Sequence, residues 1–283
     1  MDINRIPAEE LGRGSEICLD VCDTEQDLYW KMAIEVLETV EENNKRGERT
    51  LMVVPYGPLG PYSRLVYLVN KYRVSLKNCI FMNMDEYLGD DMKYIDKNSP
   101  LSFRGGMERI FYSQIDPELN VLPENRYFPD PDDPEVLTRL IEREGKLDMA
   151  WGGVGINGHF AFNEPPEPGE ACTNEEFLAR KTRALAISRE TKTINCFMNC
   201  GGDLNGIPHY CVTVGMQEMF RAKKVRMCMP RDWNAGALRK ILHGDIDCHV
   251  PCSLFRNHPD AKIYASRLAC ETQVVPEIRI YNK

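Results

Sequence analysis

Two short segments of the chain gather side chains that can exchange protons. The first, NMDEYLG (83–89), carries two adjacent carboxylates, Asp85 and Glu86, directly after an apolar run. Partial burial at the end of a strand raises the pKa of a carboxyl group, which then serves as a general base near neutral pH. Taken alone, the segment fits a polar turn at a strand end equally well.

The second segment, GGVGINGHFAFNEP (152–165), is glycine-rich and places an amide, an imidazole and a carboxylate close together, at Asn157, His159 and Glu164. Glycines permit tight turns and close backbone approach. Imidazole exchanges protons near neutral pH, and a polar neighbour fixes its tautomer. A lone histidine is more often structural, but polar neighbours in a loop after a strand favour a catalytic role for His159.

Short apolar runs alternate with amphipathic stretches along the chain. The runs predict strands at 51–54, 79–83, 147–154, 212–214, 225–229, 262–265 and 278–281, and the stretches predict helices at 24–44, 63–71, 134–144 and 233–243, with a short helix between the fourth and fifth strands. This alternation predicts an α/β fold, a three-layer, mostly parallel Rossmann-like sheet with helices on both faces. We expect an N-terminal arm (1–16) and one domain (17–283). Ligands of such sheets lie at the carboxyl ends of the strands, where both polar segments occur.

Charge and composition argue against several classes of protein. Lys and Arg total 35 against 43 Asp and Glu, a formal net charge of −8, which argues against general binding to nucleic acid or anionic membranes. No apolar run is long enough to span a membrane, and the first fifteen residues lack the apolar core of a signal peptide. We therefore expect a cytoplasmic protein.

The eleven cysteines do not suggest a familiar metal site. Three pairs share a C-x3-C spacing, whereas structural zinc sites favour C-x2-C. A metal site in the segment with Cys248, His249, Cys252 and His258 is the less favoured alternative, because no second ligand pair accompanies it. We predict no metal.

With these segments in view, the chain resembles a known family. NMDEY and GGVGINGHFAFNEP together are closely similar to motifs of the glucosamine-6-phosphate deaminase/isomerase family, which is related to the 6-phosphogluconolactonases. GDLNGIPHYCVTVGM (202–216) and VPCSLFRNH (250–258) resemble two further family segments, and TRALAISRETKTIN (182–195) fits a fifth less well. The resemblance covers roughly residues 17–270.

The resemblance implies roles for the acid–base residues. Asp85 would move a proton between C2 and C1 of the sugar, His159 would assist ring opening, and Glu164 would orient and polarise His159. Asn157 stands where the deaminases commonly have Asp, and it supplies a hydrogen-bond acceptor without a charge. The chemistry implies no cofactor. The expected partner is a small sugar, glucosamine-6-phosphate or a related amino sugar, and we expect a homo-oligomer.

The phosphate contacts of the family are altered. Its Gly-Gly-Thr turn reads PYGPLGPYS (55–63) here, with three prolines that cannot donate N–H bonds. Its arginine and lysine ligands align near Phe197 and Asn234. Four basic side chains near the expected pocket are candidates to replace these phosphate ligands: Arg64, Arg104, Lys192 and Arg231. Our predicted substrate-binding residues are Glu86, Gly57, Gly60, Arg64, Arg104, Lys192 and Arg231.

Several functions therefore stay open. The same chemistry on a sugar that is unphosphorylated or otherwise acidic is one alternative, and the altered phosphate contacts favour it. Lactone hydrolysis is another, although the NMDEY motif belongs to the isomerising branch. A non-catalytic sugar sensor is the third, and proton exchange at C2 would distinguish an enzyme from a sensor.

Overall fold

A computed structural model describes residues 3–271. Ten strands occur in this range: β1 (Cys18–Cys22), β2 (Thr50–Val54), β3 (Cys79–Asn83), β4 (Asp85–Leu88), β5 (Arg126–Tyr127), β6 (Met149–Gly153), β7 (Arg183–Ala186), β8 (Tyr210–Thr213), β9 (Lys224–Met229) and β10 (Ala261–Ser266). Seven of them form one sheet in the order β1-β10-β9-β6-β2-β3-β5, and every pairing in it is parallel.

Helices pack on both faces of this sheet. The described residues contain α1 (Glu25–Arg46), α2 (Gly60–Tyr72), α3 (Phe103–Ile110), α4 (Val136–Glu144), α5 (Asn174–Leu178), α6 (Arg189–Asn199), α7 (Met216–Phe220), α8 (Ala235–His243) and α9 (Arg267–Cys270). The long helix α1 starts at a capping box between Thr24 and Asp27 and ends at Gly47, whose φ of 69° suits glycine. None of these helices is long and apolar enough to cross a membrane.

Strand β2 shows why the fold has three layers. All five of its residues are buried. Leu51 and Val53 belong to one apolar core, with residues of α4 and α8, while Met52 and Val54 belong to the other, with residues of α1 and α2. Successive side chains of a strand point to opposite faces, so an uninterrupted apolar run serves both cores. The predicted three-layer α/β fold is confirmed.

A second, smaller sheet lies beside the first. It consists of β4, β8 and β7, paired antiparallel. The strand predicted at 212–214 corresponds to β8, and it belongs to this second sheet rather than to the parallel one. A short apolar run shows that a strand is buried but not which sheet it joins. The predicted strand at 278–281 lies outside the described residues.

The predicted N-terminal arm packs against the domain. Ile6 and Leu11 are buried in the core that includes α8. Arg239 of α8 donates to the carbonyl oxygen of Ile6 at 2.9 Å, and the amide of Gly12 donates to Nε2 of His243 at 3.3 Å. The described part of the arm is therefore fixed to α8 by apolar and polar contacts.

Candidate active site

A cleft of about 160 Å³ opens at the carboxyl ends of three neighbouring strands. Pro55 follows β2, Met84 follows β3, and Gly153 ends β6. The cleft is lined by Pro55, Tyr56, Gly57, Met84, Asp85, Phe103, Gly153, His159, Ala161, Phe162, Thr191 and Asn195. Parallel sheets bind ligands at this edge because the loops after adjacent strands converge there.

Asp85 is the first residue of β4, where the chain leaves the main sheet and pairs with Thr213. The residue is only 9% exposed. Burial, aided by the nearby charge of Glu86, raises the pKa of the Asp85 carboxyl to about 8. A carboxyl group with this pKa both accepts and returns a proton near neutral pH, as a general base must.

The neighbouring carboxylate, Glu86, is fully buried and binds the start of α3. It accepts hydrogen bonds from the hydroxyl of Ser102 at 2.9 Å and from the amides of Phe103 and Arg104 at 3.0 and 2.8 Å. Nε of Arg104 lies 3.3 Å from the same carboxylate. Negative charge at a helix start is stabilising, so Glu86 positions α3 and with it Phe103. Glu86 is not among the residues that line the cleft.

His159 is held through Nδ1. This nitrogen lies 2.8 Å from Oδ1 of Asn157, 3.2 Å from Oε2 of Glu164 and 3.2 Å from Oγ1 of Thr191. The amide of Asn157 also donates to Oε2 of Glu164 at 2.8 Å. Two of these partners only accept hydrogen bonds, so they hold the proton on Nδ1. Nε2 is then the ring nitrogen that can exchange a proton with a ligand in the cleft.

Glu164 supplies the negative charge of this group. Burial alone would raise its pKa, but the charge of His159 and hydrogen bonds from His159, Asn157 and Thr191 outweigh burial and lower the pKa to about 2. The carboxylate is therefore ionised at neutral pH. It can stabilise the imidazolium that forms when His159 takes up a proton.

The backbone of the loop is shaped around the imidazole. A Cβ at Gly155 would lie 2.0 Å from Cε1 of His159, so the ring rests directly on this glycine. The amide of Gly155 donates to the carbonyl of His159 at 3.0 Å, and Gly158 has a φ of 85°. These positions need glycine for close approach and for a left-handed backbone, respectively.

Replacement of Asn157 by Asp tests how charge around Nδ1 sets the behaviour of His159. The new carboxylate would remove a donor from Glu164 and add negative charge beside the imidazole, which stabilises the imidazolium. We expect the pH–rate profile of the variant to move toward higher pH than that of the wild type. Profiles of Asn157→Asp and of Asn205→Asp, which adds the same charge at an exposed loop, provide the measurement and its control. An unmoved profile would contradict the assignment.

The four cations predicted to bind substrate have other partners. Arg64 donates to the carbonyl of Gly60 at 3.1 Å and contacts Gln26, and its guanidinium lies over the rings of Tyr29 and Trp30. Arg104 binds Glu86, as described above. Nζ of Lys192 lies 3.0 Å from Nδ1 of His209, and the guanidinium of Arg231 lies 3.0 Å from the carboxylate of Glu25. Within residues 3–271, the lining of the cleft includes none of them, so their role in binding stays a prediction.

The two glycines predicted to bind substrate differ in their position relative to the cleft. Gly57 lines the cleft, whereas Gly60 begins α2 and lies against the ring of Tyr29, where a Cβ would come within 2.1 Å of Cδ2. The structure therefore places Gly57, but not Gly60, where a ligand would touch it.

Sequence reasoning missed nine of the lining residues, and five of these bring an aromatic ring, a hydroxyl or a side-chain amide to the acid–base group. Three are aromatic and two lie one turn apart on α6: Tyr56, Phe103, Phe162, Thr191 and Asn195. The i, i+4 spacing of Thr191 and Asn195 puts both on one helix face, which was a usable signal. No comparable sequence signal pointed to Phe103, because the hydrogen bonds of Glu86 to the start of α3 are what bring Phe103 to the cleft.

Only some of the residues considered for a metal site lie close together in the structure. Asp247, Cys248 and His249 bring one ligand atom each to within 4.8 Å of one another. His258 is buried elsewhere, with Nε2 2.8 Å from the carbonyl oxygen of Ala222, and Cys252 is fully buried. None of these residues is part of the lining of the cleft.

Comparison with known proteins places this cleft in context. No protein-family model matches the chain. A glucosamine-6-phosphate deaminase of Cronobacter sakazakii is 29% identical over 250 residues, which cover 87% of this chain and 86% of the relative. A glucosamine-6-phosphate deaminase of Thermoanaerobacter pseudethanolicus is 27% identical over 249 residues, which cover 85% of this chain and 90% of the relative. The structure of a monomeric glucosamine-6-phosphate deaminase matches with a TM-score of 0.78 at 23% identity, covering 91% of this chain and all of that one, and 6-phosphogluconolactonase from Trypanosoma brucei matches with a TM-score of 0.63 at 15% identity, covering 92% and 100%. The chain is thus similar over most of its length to glucosamine-6-phosphate deaminases, and it has the α/β fold that they share with 6-phosphogluconolactonases.

Proposed function

We propose that the chain is an aldose–ketose isomerase that also deaminates, acting on an amino sugar. The observation that carries the proposal is that Asp85 and the Nδ1-anchored His159 line one cleft. One group titrates near neutral pH because it is buried, and the other has a single ring nitrogen available to a ligand. Such a pair can move protons on a sugar held between them.

The steps use only protons and water. His159 takes the proton of the C1 hydroxyl through Nε2, the bond between C1 and the ring oxygen breaks, and the proton passes to the ring oxygen; the Glu164 carboxylate stabilises the imidazolium in between. Asp85 then removes the proton from C2 of the open-chain amino aldose, the electron pair of that bond forms the C1=C2 double bond, and the C1 oxygen takes up a proton from water to give an enolamine. Return of the proton from Asp85 to C1 leaves a protonated imine at C2, which water hydrolyses to a ketose and ammonia.

The similarity of the chain to named deaminases supports the same reaction. The 6-phosphogluconolactonase structures share the fold at lower TM-scores, and lactone hydrolysis needs no base for a C–H proton. A buried carboxyl group poised to take such a proton, at Asp85, therefore favours the isomerase over the lactonase. Function in the cytoplasm and assembly into a homo-oligomer stay predictions.

Proton exchange at C2 tests the proposal directly. Incubation with glucosamine and with glucosamine-6-phosphate in deuterated water should place deuterium at C1 of the ketose product, seen by proton NMR, with release of ammonia. The Asp90→Asn variant, altered at an exposed carboxylate, should behave like the wild type. Hydrolysis of 6-phosphogluconolactone without any C2 exchange of either sugar would instead establish the lactonase.

A further inference from the structure

One side of the cleft is an aromatic wall, which we define as Tyr56, Phe103 and Phe162. The rings of Tyr56 and Phe103 stack with centroids 4.8 Å apart, and those of Phe103 and Phe162 are nearly parallel, at 5°, with centroids 6.4 Å apart. All three side chains line the cleft. The wall therefore places aromatic surface beside Asp85 and His159.

The wall is held in place from behind. Tyr56 lies against Gly106 of α3, where a Cβ would come within 2.2 Å of its Cε2 atom. Phe103 is fixed through its own backbone amide, which donates to Glu86. A glycine and a buried carboxylate therefore set the positions of two of the three rings, which favours a built binding surface over loose packing.

The surroundings of the cleft do not attract an anion. Asp85 lines the cleft and becomes negative only as the pH approaches its raised pKa of about 8, and the ionised Glu164 lies directly behind His159. Among the described residues, no lysine or arginine belongs to the lining. Arg183, on the nearby strand β7, donates instead to Asn163 at 2.9 Å and to the carbonyl of Lys181 at 3.2 Å. A doubly negative group in this cleft would lose water without gaining an opposite charge.

The start of α2 offers few amides to an anion. Pro58 and Pro61 have no N–H, and the amide of Tyr62 donates to the carbonyl of Leu59 at 3.1 Å. A helix start binds phosphate through free amides, and this one lacks an amide at Pro61 and has the amide of Tyr62 engaged in a turn, while Pro58 removes a further N–H just before the helix.

The position of the expected phosphate-binding lysine is also committed elsewhere. Asn234 is fully buried; its amide nitrogen donates to the carbonyl of Val154 at 3.1 Å, and its oxygen accepts from the amide of Arg231 at 3.0 Å. Both polar atoms of this side chain serve the backbone. The residue therefore contributes to the fold rather than to an anion site.

We propose that the substrate of this cleft is an unphosphorylated amino sugar, whose C–H groups pack against the aromatic wall. The inference rests on the proposed function for the reacting carbons and adds the chemical class of the substrate. A neutral hydroxymethyl group at C6 needs no cation, and the amine, which is cationic when protonated, complements the Glu164 carboxylate and the aromatic side chains. Small-molecule sites are commonly lined by apolar and aromatic side chains with a few polar groups.

Binding of unreactive analogues tests this inference without turnover. Calorimetry would compare 2-amino-1,5-anhydro-2-deoxyglucitol, which keeps the pyranose ring but lacks the anomeric hydroxyl that ring opening needs, with its 6-phosphate. We expect the unphosphorylated analogue to bind at least about tenfold more tightly, because the phosphate must be desolvated without a lysine or arginine of the described lining to pair with it. We also expect inorganic phosphate at millimolar concentration to leave that affinity unchanged. Tighter binding of the phosphate, competition by inorganic phosphate, or binding of neither analogue would overturn the inference.

Variants of the wall complete the test. Phe103→Leu should weaken binding of the unphosphorylated analogue by about five- to tenfold, and Tyr72→Leu, at a residue that is 60% exposed at the far end of α2, should leave it unchanged. Tyr56→Leu serves as the second wall variant if Phe103→Leu fails to fold. Wild-type affinity in a folded wall variant would also overturn the inference. Failure of the proposed function is separate, since it would appear as analogue binding without deuterium exchange of the parent sugars.

Discussion

Replacement of Asp85 by Asn is expected to lower turnover by about 10²- to 10⁴-fold, the range that a positioned general base contributes. The amide has nearly the same shape and cannot take a proton from carbon. Ammonia release and C2 exchange should fall together in Asp85→Asn, because both follow the same proton transfer. Ammonia release at the wild-type rate would show that another group is the base.

The same variant should be more stable than the wild type at pH 8. In the unfolded chain the Asp85 carboxyl ionises above its ordinary pKa of 3.8, whereas in the folded chain it holds its proton up to about pH 8. The folded state therefore binds more protons between these values, and the free energy of unfolding of the wild type falls as pH rises from about 4 to about 8. The amide does not titrate, so Asp85→Asn escapes a loss on the order of a few kcal/mol.

Thermal unfolding at pH 5 and pH 8 measures this effect. The difference in Tm between Asp85→Asn and the wild type should widen with pH, while Asp90→Asn should track the wild type at both values. All other titrating groups are common to the proteins compared, so their contributions cancel. A difference in Tm that stays constant with pH would contradict the raised pKa of Asp85.

Replacement of Gly155 by Ala should inactivate the protein by displacing His159. The added methyl group would lie 2.0 Å from Cε1 of the ring, and the backbone cannot retreat without breaking the bond from the Gly155 amide to the His159 carbonyl. We expect a loss of turnover of about 100-fold or more, because a shift of about 1 Å in a catalytic group has that effect. Steady-state kinetics on the purified variant would measure it.

Gly236→Ala is the matched control. Nothing lies within 4 Å of the Cβ that it adds to the exposed side of α8. Turnover should be unchanged, and the free energy of unfolding should rise by up to about 1 kcal/mol, because alanine favours the helix. Equal turnover of Gly155→Ala and Gly236→Ala would show that His159 tolerates displacement.

The main sheet was predictable because its strands are buried on both faces. The apolar runs at 51–54, 79–83, 225–229 and 262–265 each correspond to a parallel strand of the structure. The edge strand β1 was missed, since its residues are mostly exposed or half-buried and give no apolar run. Central strands that are buried on both faces show an apolar run in the sequence, whereas an edge strand such as β1 depends on its neighbour β10.

The candidate site was predictable in its chemistry and not in its lining. Asp85 and His159 were found because their residue types stand out after strands, and the structure puts both in the cleft. The cations were chosen by proximity in sequence, but charge pairing in space directs Arg104 to Glu86 and Arg231 to Glu25. Such pairings join distant segments, so local sequence does not reveal them.

The pairing of β4 with β8 also sets the order in which a nascent chain can become active. Asp85 is held opposite Thr213, and the amide of Val214 donates to the carbonyl of Met84 at 2.7 Å. Before residues 210–214 leave the ribosome, the strand that carries the base has no antiparallel neighbour in β8. Strands β9 and β10 of the main sheet follow β8 along the chain, and among the described strands β1 pairs only with β10, so the main sheet is completed later still. The base therefore gains its partner strand before the scaffold around it closes, and both depend on the last third of the chain.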